Sequence, residues 1–358
     1  MSKCKIYALY LPQFHRIKEN DEWWGEGFTE WNSVKDAKRL SRYSYQPRVP
    51  LEGYYDLSDV NTIRHQAEIA KKYGLDGFAI YHYYSNGRLL LEKPAELLLA
   101  NKDIDISYFF SWANHDWKRT WYGYGLEVLR KQEYGNQNQI REHYHYLSQF
   151  FSDSRYLKID NKPVIAFYRH LSIPNIKEYY EIWNRLAKEE GYDGLYWIQT
   201  IDKLDQRRDE NLFDASFDFE PGRIVESRKF RTRRFLNRVG AWLVKKSILK
   251  RVGQLYDYKK VAQAIIDNKH TDPKQYYGVF RGWDNTPRHK YMGVVYKNES
   301  VEAFQNLFKE QYKKANAENH ELLLINAWNE WSEGAYLEAD EKYKFEHLEA
   351  IRNVVSEK

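Results

Sequence analysis

Short apolar runs recur through the chain, and each ends abruptly in polar and aromatic residues. Eight of them read as strands: 5–11, 75–81, 104–110, 163–168, 195–198, 215–219, 276–280 and 322–328. Such runs suit strands buried on both faces. Between them the apolar spacing changes to that of helices. Segment 56–73 sets Leu57, Val60, Ile63, Ala67 and Ala70 on one side and stops at Gly74. Similar patterns cover 89–100, 139–151, 175–190, 301–315 and 342–355.

Strands alternating with helices predict parallel strands joined by helical crossovers. Eight such units predict an α/β fold, a single-domain (β/α)8 TIM barrel over residues 1–358. No Gly-x-Gly-x-x-Gly turn follows the first strand, which argues against a dinucleotide-binding fold. In a barrel the strand exits gather on one face, where active sites of this fold sit. The exits here include Gln13-Phe14-His15, His82-Tyr83-Tyr84, Trp112-Ala113-Asn114, Gly282-Trp283-Asp284 and Trp328-Asn329-Glu330-Trp331.

Composition sharpens this picture. Aromatic residues make up 17% of the chain, with 31 Tyr and 12 Trp. We expect the surplus to line a cleft, because such rings offer sugars a flat apolar face and a polar edge. Cys4 is the only cysteine, which excludes an intrachain disulfide and a cysteine-based metal site. A net charge of +5 does not argue for nucleic acid. The first residues run straight into a strand without the apolar stretch of a signal peptide, so the expected address is cytoplasmic.

Charge is concentrated in one place. Segment 223–253 carries eleven basic residues and one acid, Glu226, interleaved with Phe235, Leu236, Val239, Trp242, Leu243, Ile248 and Leu249. It reads as a basic amphipathic insertion in the barrel. Three partners fit: an anionic membrane surface at the inner membrane face, an acidic glycan, or the barrel itself.

The last strand leads into the most chemical stretch, Asn329-Glu330-Trp331-Ser332-Glu333-Gly334. Two carboxylates lie three residues apart beside indoles, the residue types of a glycosidase cleft. A long loop holds Glu22, Trp23, Trp24, Glu26, Glu30 and Trp31, which favours binding over a simple linker.

These stretches make a recognisable set. The chain resembles the WbsX-like family of bacterial polysaccharide-biosynthesis proteins, grouped with glycoside hydrolase family 99-like domains. The matching residues are Tyr10-Leu11-Pro12-Gln13-Phe14-His15, Asn20 to Gly25 with Gly27-Phe28-Thr29-Glu30-Trp31, Gly53-Tyr54-Tyr55-Asp56, Asp76-Gly77-Phe78, Tyr81-His82-Tyr83, Trp112-Ala113-Asn114, Gly282 to Arg288, and Asn326 to Glu338. They span nearly the whole chain in order. Segment 223–253 is not among them. The resemblance implies a (β/α)8 barrel acting on the glycans of O-antigen (lipopolysaccharide) or capsule metabolism. In the endo-acting α-mannosidase relatives the first Glu of Asn-Glu-Trp-x-Glu-Gly deprotonates the sugar 2-hydroxyl. The second is general acid, then base. Glu330 and Glu333 match those positions, and Ser332 stands where the relatives have His.

The spacing agrees with that chemistry. Retaining glycosidases usually hold two carboxylates about 5 Å apart on opposite faces of the sugar. Two Glu at i and i+3 of one loop approach from one side instead. The substrate's own axial 2-hydroxyl, as in α-manno or α-rhamno sugars, is then the nucleophile, giving a 1,2-anhydro intermediate. That scheme asks for a raised pKa at Glu333 and an ordinary or lowered one at Glu330.

Candidate sugar-binding residues are His15, Trp24, His82, Tyr83, Trp112, Asn114, Trp283, Asp284, Asn329 and Trp331. His15, His82 and His115 are too scattered to argue for a metal, and no cofactor is expected. Asp103-Ile104-Asp105 precedes a strand and so lies at the wrong end for a nucleotide-sugar site. The expected activity is that of a retaining hydrolase or transglycosylase acting on an oligosaccharide or lipid-linked glycan. The alternatives are a glycosyltransferase of lipid-linked polysaccharide assembly and a non-catalytic glycan-binding barrel.

Overall fold

The apolar runs form one curled sheet in the computed structural model, which describes residues 3–118 and 127–357. Its strands are β1 (Lys5–Tyr10), β2 (Gly77–Ser85), β3 (Ser107–Trp112), β4 (Lys162–Phe167), β5 (Tyr196–Ile201), β6 (Ala215–Asp218), β7 (Gln275–Tyr276), β8 (Gly278–Phe280) and β9 (Leu322–Asn326). All pair in parallel, in the order β7-β6-β5-β4-β3-β2-β1-β9-β8. The two ends of that path, β7 and β8, are separated only by Tyr277. They are two halves of one stave, the first bonded to β6 and the second to β9. The pattern predicts one unbroken strand at 276–280. The break is what lets a single stave close the barrel. Gly278 makes closure tight, because a β-carbon there would overlap the Asp218 carbonyl.

Among the described residues, eleven helices accompany the strands: α1 (Lys18–Trp24), α2 (Glu30–Lys35), α3 (Val60–Lys72), α4 (Lys93–Ala100), α5 (Gln137–Phe151), α6 (Ile176–Glu189), α7 (Arg231–Lys245), α8 (Tyr258–Asp267), α9 (Thr286–His289), α10 (Val301–Ala317) and α11 (Glu346–Ser356). The loop expected after β1 contains two short helices, α1 and α2. The helix expected from residue 89 starts later, because Arg88–Leu90 turns back to pair antiparallel with β2. The crossover helix α8 is not foreseen by the sequence pattern. Its apolar face is brief, and the basic segment before it obscures the period. The basic segment forms α7, in the connection that leaves the C-terminal end of β6. Among the described residues, no helix is long and apolar enough to cross a membrane.

The core absorbs much of the aromatic surplus. Trp112, Trp183, Trp197, Trp328 and Trp331 are all fully buried. Phe167 and Trp197 stack with ring centres 4.5 Å apart and planes 5° from parallel. The expectation that the aromatic surplus lines a cleft is therefore corrected in part: these five rings fill space between strands and helices instead.

Candidate active site

Past β9 the chain folds into a tight hairpin. Asn329–Glu330 pairs antiparallel with Ala335–Tyr336, and the 3-10 turn Trp331–Glu333 joins them. Gly334 closes the turn at φ 67°, a left-handed conformation that glycine adopts without strain. Contacts within the hairpin and to the barrel hold it in place. The Asn329 amide accepts from Leu11 N at 2.7 Å and donates to Leu11 O at 2.9 Å. The Trp331 indole donates to Glu338 at 2.6 Å and its ring stacks on Tyr336. Asp284 N donates to Glu333 O at 2.8 Å.

The two glutamates of the turn converge on one guanidinium. Arg288, at the end of α9, reaches Glu333 Oε1 through Nη1 at 2.5 Å and Glu330 Oε2 through Nη2 at 3.3 Å. A third carboxylate completes the cluster. Glu30, at the start of α2 and fully buried, accepts from Arg288 Nε at 2.9 Å and Nη2 at 2.8 Å. Ser332 Oγ donates to the same Glu30 oxygen. Three acids thus share one cation in a water-poor place. Burial raises Glu330 to about 8, Arg288 opposes the shift, and the charges of Glu333 and Glu30 add to it. This overturns the expectation of an ordinary or lowered value at Glu330. The same three carboxylates raise the Arg288 pKa against the cost of burial.

The cluster faces a cavity of about 600 Å³, a size suited to a small oligosaccharide segment. Glu330, Glu333 and Arg288 form part of its wall. Tyr81, Tyr83, Tyr168, Trp24, Trp117 and His115 supply aromatic faces and polar edges. Burial and the nearby carboxylates hold the Tyr81 and Tyr83 phenols protonated. Burial and Arg169 push His115 down to about 4, so its ring is neutral.

Of the residues singled out from sequence, Glu330, Glu333, Trp24, Tyr83 and Asn114 line this cavity. The other seven are outside its lining and belong to the framework. His82 is buried and bonded to His143 at 2.8 Å. Trp112 is buried and donates to Tyr84 O. Asp284 caps the start of α9 through Thr286 and approaches Arg48 at 3.9 Å. Asn329 and Trp331 are engaged as described above. Trp283 is half-buried against the core, and His15 is buried with its pKa lowered by burial. Asn114, although in the lining, clamps Arg169 N and O at 2.8 Å each. The three histidines considered for a metal are apart: only His115 lines the cavity. Asp103 and Asp105 pair with Arg64 and Lys71, ahead of β3.

Sequence reasoning missed Arg288 and Glu30 as site residues. Both stand inside the recognised stretches. What would have flagged them is charge logic: two clustered acids at a strand exit call for a cation, and Arg288 ends the adjacent exit.

A family model described as "Glycosyltransferase WbsX" matches residues 6–351. Two proteins from strains of Xanthomonas campestris pv. campestris, both described as "Uncharacterized protein WxcX", are 31% identical over 357 residues, which is 98% of this chain and 49% of theirs. The chain therefore spans about half the length of the curated relatives it matches. Among solved structures, a glycoside hydrolase family 99 endo-alpha-mannosidase from Bacteroides thetaiotaomicron superposes with a TM-score of 0.58 at 12% identity, covering 98% of this chain and 95% of that one. A structure described as "Glycoside hydrolase-like protein" gives 0.61 at 11% identity, covering 99% and 94%. At such identities the likeness is one of fold, and it agrees with the (β/α)8 barrel.

Proposed function

Because this chain belongs to the WbsX glycosyltransferase family, we propose that it is a carbohydrate-active enzyme that cleaves or transfers an α-manno- or α-rhamno-configured glycosyl unit with retention. The observation that carries this reading is the convergence of Glu330 and Glu333 on Arg288 at one wall of the cavity. Two carboxylates on one side leave the opposite approach to the substrate's own 2-hydroxyl.

In the first step Glu330 takes the proton of the 2-hydroxyl. O2 then attacks the anomeric carbon as the glycosidic bond breaks. Glu333 gives its proton to the departing oxygen, leaving a 1,2-anhydro sugar. In the second step Glu333 takes a proton from water or a sugar hydroxyl, whose oxygen attacks the anomeric carbon. The anhydro ring opens and Glu330 returns its proton to O2. Water as acceptor gives hydrolysis, and a sugar hydroxyl gives transglycosylation. Burial holds Glu330 at about 8, opposite to what the scheme asks, so it serves as the base only once ionised, in the upper part of the pH range. Tyr81, Tyr83 and Trp24 are proposed to hold the sugar. The substrate is an oligosaccharide or lipid-linked glycan of polysaccharide metabolism.

A second reading, transfer from a lipid-linked or nucleotide-linked donor, follows from the family's description. Calorimetric titration with a manno-configured iminosugar and with a nucleotide sugar separates the two. The first reading expects the iminosugar to bind and the Glu330→Gln variant to lose that binding. Tight binding of the nucleotide sugar with none of the iminosugar would replace it with the second. A protein that binds glycan equally well in the wild type and in the double Gln variant, and turns over none, is a binding barrel.

A further inference from the structure

The glutamate cluster leaves the most unusual surface of the molecule unexplained. Nine large hydrophobic side chains are exposed among the described residues. Seven of them lie in one region: Phe235, Leu236, Val239, Trp242 and Ile248 on or just after α7, and Tyr291 and Met292 in the turn packed against it. So high a local share marks an interaction surface rather than scattered exposure.

The inner side of α7 is firmly attached. Gly240 and Gly253 approach so closely that a β-carbon on either would overlap the other's backbone. Asn237 accepts from Leu255 N at 3.0 Å. Arg233 donates to Leu255 O, and Arg234 to Val225 O and Ser227 O. Those two arginines therefore serve the fold. The outer side is different. Phe235, Val239 and Trp242 follow i, i+4, i+7 spacing and make one apolar ridge. At about 100° per residue, Arg231, Arg238 and Lys245 run along one flank of it. Phe235 is 63% and Trp242 55% exposed.

The charge around the ridge selects its partner. Arg223 is used internally on Asp218 and Glu220, and Lys229 pairs with Asp267. The exposed cations Arg228, Arg231, Arg238, Lys245, Lys246, Lys250 and Arg251 form no ion pair among the described residues. A second copy docked ridge to ridge would set these cations against their own kind. A surface that is apolar beneath and anionic on top matches both features.

We propose that the outer face of α7 docks on the surface of an anionic lipid bilayer, with Phe235, Trp242 and Ile248 entering the interface and the flanking cations meeting lipid phosphates. The docked face adjoins the cavity. Phe219, just before the α7 connection, lines the cavity, and only two residues separate His289 in its wall from Met292 in the patch. Docking there presents the mouth of the site to glycans carried on lipid. This inference does not depend on the glycosidic chemistry, because it is read without substrate.

Co-sedimentation of the full chain with vesicles tests it. Phosphatidylglycerol-rich vesicles in low salt are expected to pull the protein down, and pure phosphatidylcholine to leave it in solution. Arg231→Glu/Arg238→Glu/Lys245→Glu is expected to weaken binding at least about 100-fold, since each cation near an anionic surface contributes roughly fivefold. Brominated lipid is expected to quench a tryptophan signal that Trp242→Phe removes. Circular dichroism is expected to show that both variants keep the fold. Three outcomes would overturn the proposal: no binding to anionic vesicles, equal binding by the charge-reversed variant, or a dimer in solution that Trp242→Ala dissolves while vesicles bind nothing.

Discussion

Two of the barrel's clusters of buried acids around an arginine make a pair for comparison, and only one of that pair opens on the cavity. Near the end of β6, Asp218 and Glu220 share Arg223 at 2.5 and 3.0 Å. Their remaining acceptor capacity is taken up: Asp218 by His270 and Gln275, Glu220 by Ile224 N. Burial raises Glu220 to about 7. After β9, Glu330 and Glu333 share Arg288 with Glu30, and burial raises Glu330 to about 8. By titration alone the two clusters are alike. They differ because Glu330 and Glu333 line a 600 Å³ cavity, and Asp218 and Glu220 line none of it. A perturbed carboxylate marks a candidate site only when something can reach it.

The sharpest way to break this comparison is to neutralise each cluster and follow turnover of a glycan the protein processes. Glu330→Gln and Glu333→Gln are expected to lower kcat by about 100- to 10,000-fold, the usual weight of a general acid or base. Both should unfold cooperatively as the wild type does. Glu220→Gln is expected to leave kcat within about threefold, because it touches no lining residue's reacting atoms. Loss of turnover in Glu220→Gln with full activity in Glu333→Gln would reverse the assignment.

A second test uses protons. An ordinary glutamate titrates near pH ~4.3, and Glu330 in the fold near 8. Between those values the folded protein holds a proton that the unfolded chain has released. Glu330 therefore destabilises the fold progressively as pH rises from about 4.5 to about 8. Glu330→Gln removes that penalty and is expected to retain on the order of 3 kcal/mol more of its stability on going from pH 5 to pH 9. Thermal melts at the two pH values read this directly. An identical fall in variant and wild type would refute the raised value. The same group decides the direction of the activity profile. As a base Glu330 must lose its proton, so kcat/KM rises towards pH ~8. A profile that falls through that pH would make it the acid instead. Glu220→Gln should leave the limb unmoved.

The contrast also explains what the sequence could disclose. The barrel was legible because parallel strands buried on both faces leave uninterrupted apolar runs, such as Leu322-Leu323-Leu324-Ile325. The split stave at Tyr277 was not, since both halves are apolar and only their pairing partners differ. The Glu330 and Glu333 pair was legible from local spacing. Its cation was not, because Arg288 meets Glu30 across 258 positions of chain. Asn329 misled for the same reason. An amide beside a catalytic acid looks like a ligand for sugar, yet its partner is the Leu11 backbone 318 positions away. Residue type shows what a side chain can do, and tertiary contacts decide whether it is still free to do it.

Ser332 is the smallest test of this view and bears on the position where the endo-acting relatives resembled here have His. Its hydroxyl is fully buried and donates to Glu30, the carboxylate that accepts from Arg288 Nε. It therefore acts on the cluster through Glu30, without touching the cavity. Removing it in Ser332→Ala leaves Arg288 as the partner of that Glu30 oxygen. The expected cost is about 2 kcal/mol of stability, as for a hydrogen bond to a charged group. For a chain of this size the melting temperature should fall by only a few degrees. If Glu30 merely fixes Arg288, KM changes little and kcat falls by less than about tenfold. If Ser332→Ala instead abolishes turnover while the melt is unchanged, the hydroxyl reaches the substrate. The acid–arginine cluster would then be wider than the three carboxylates that define it here.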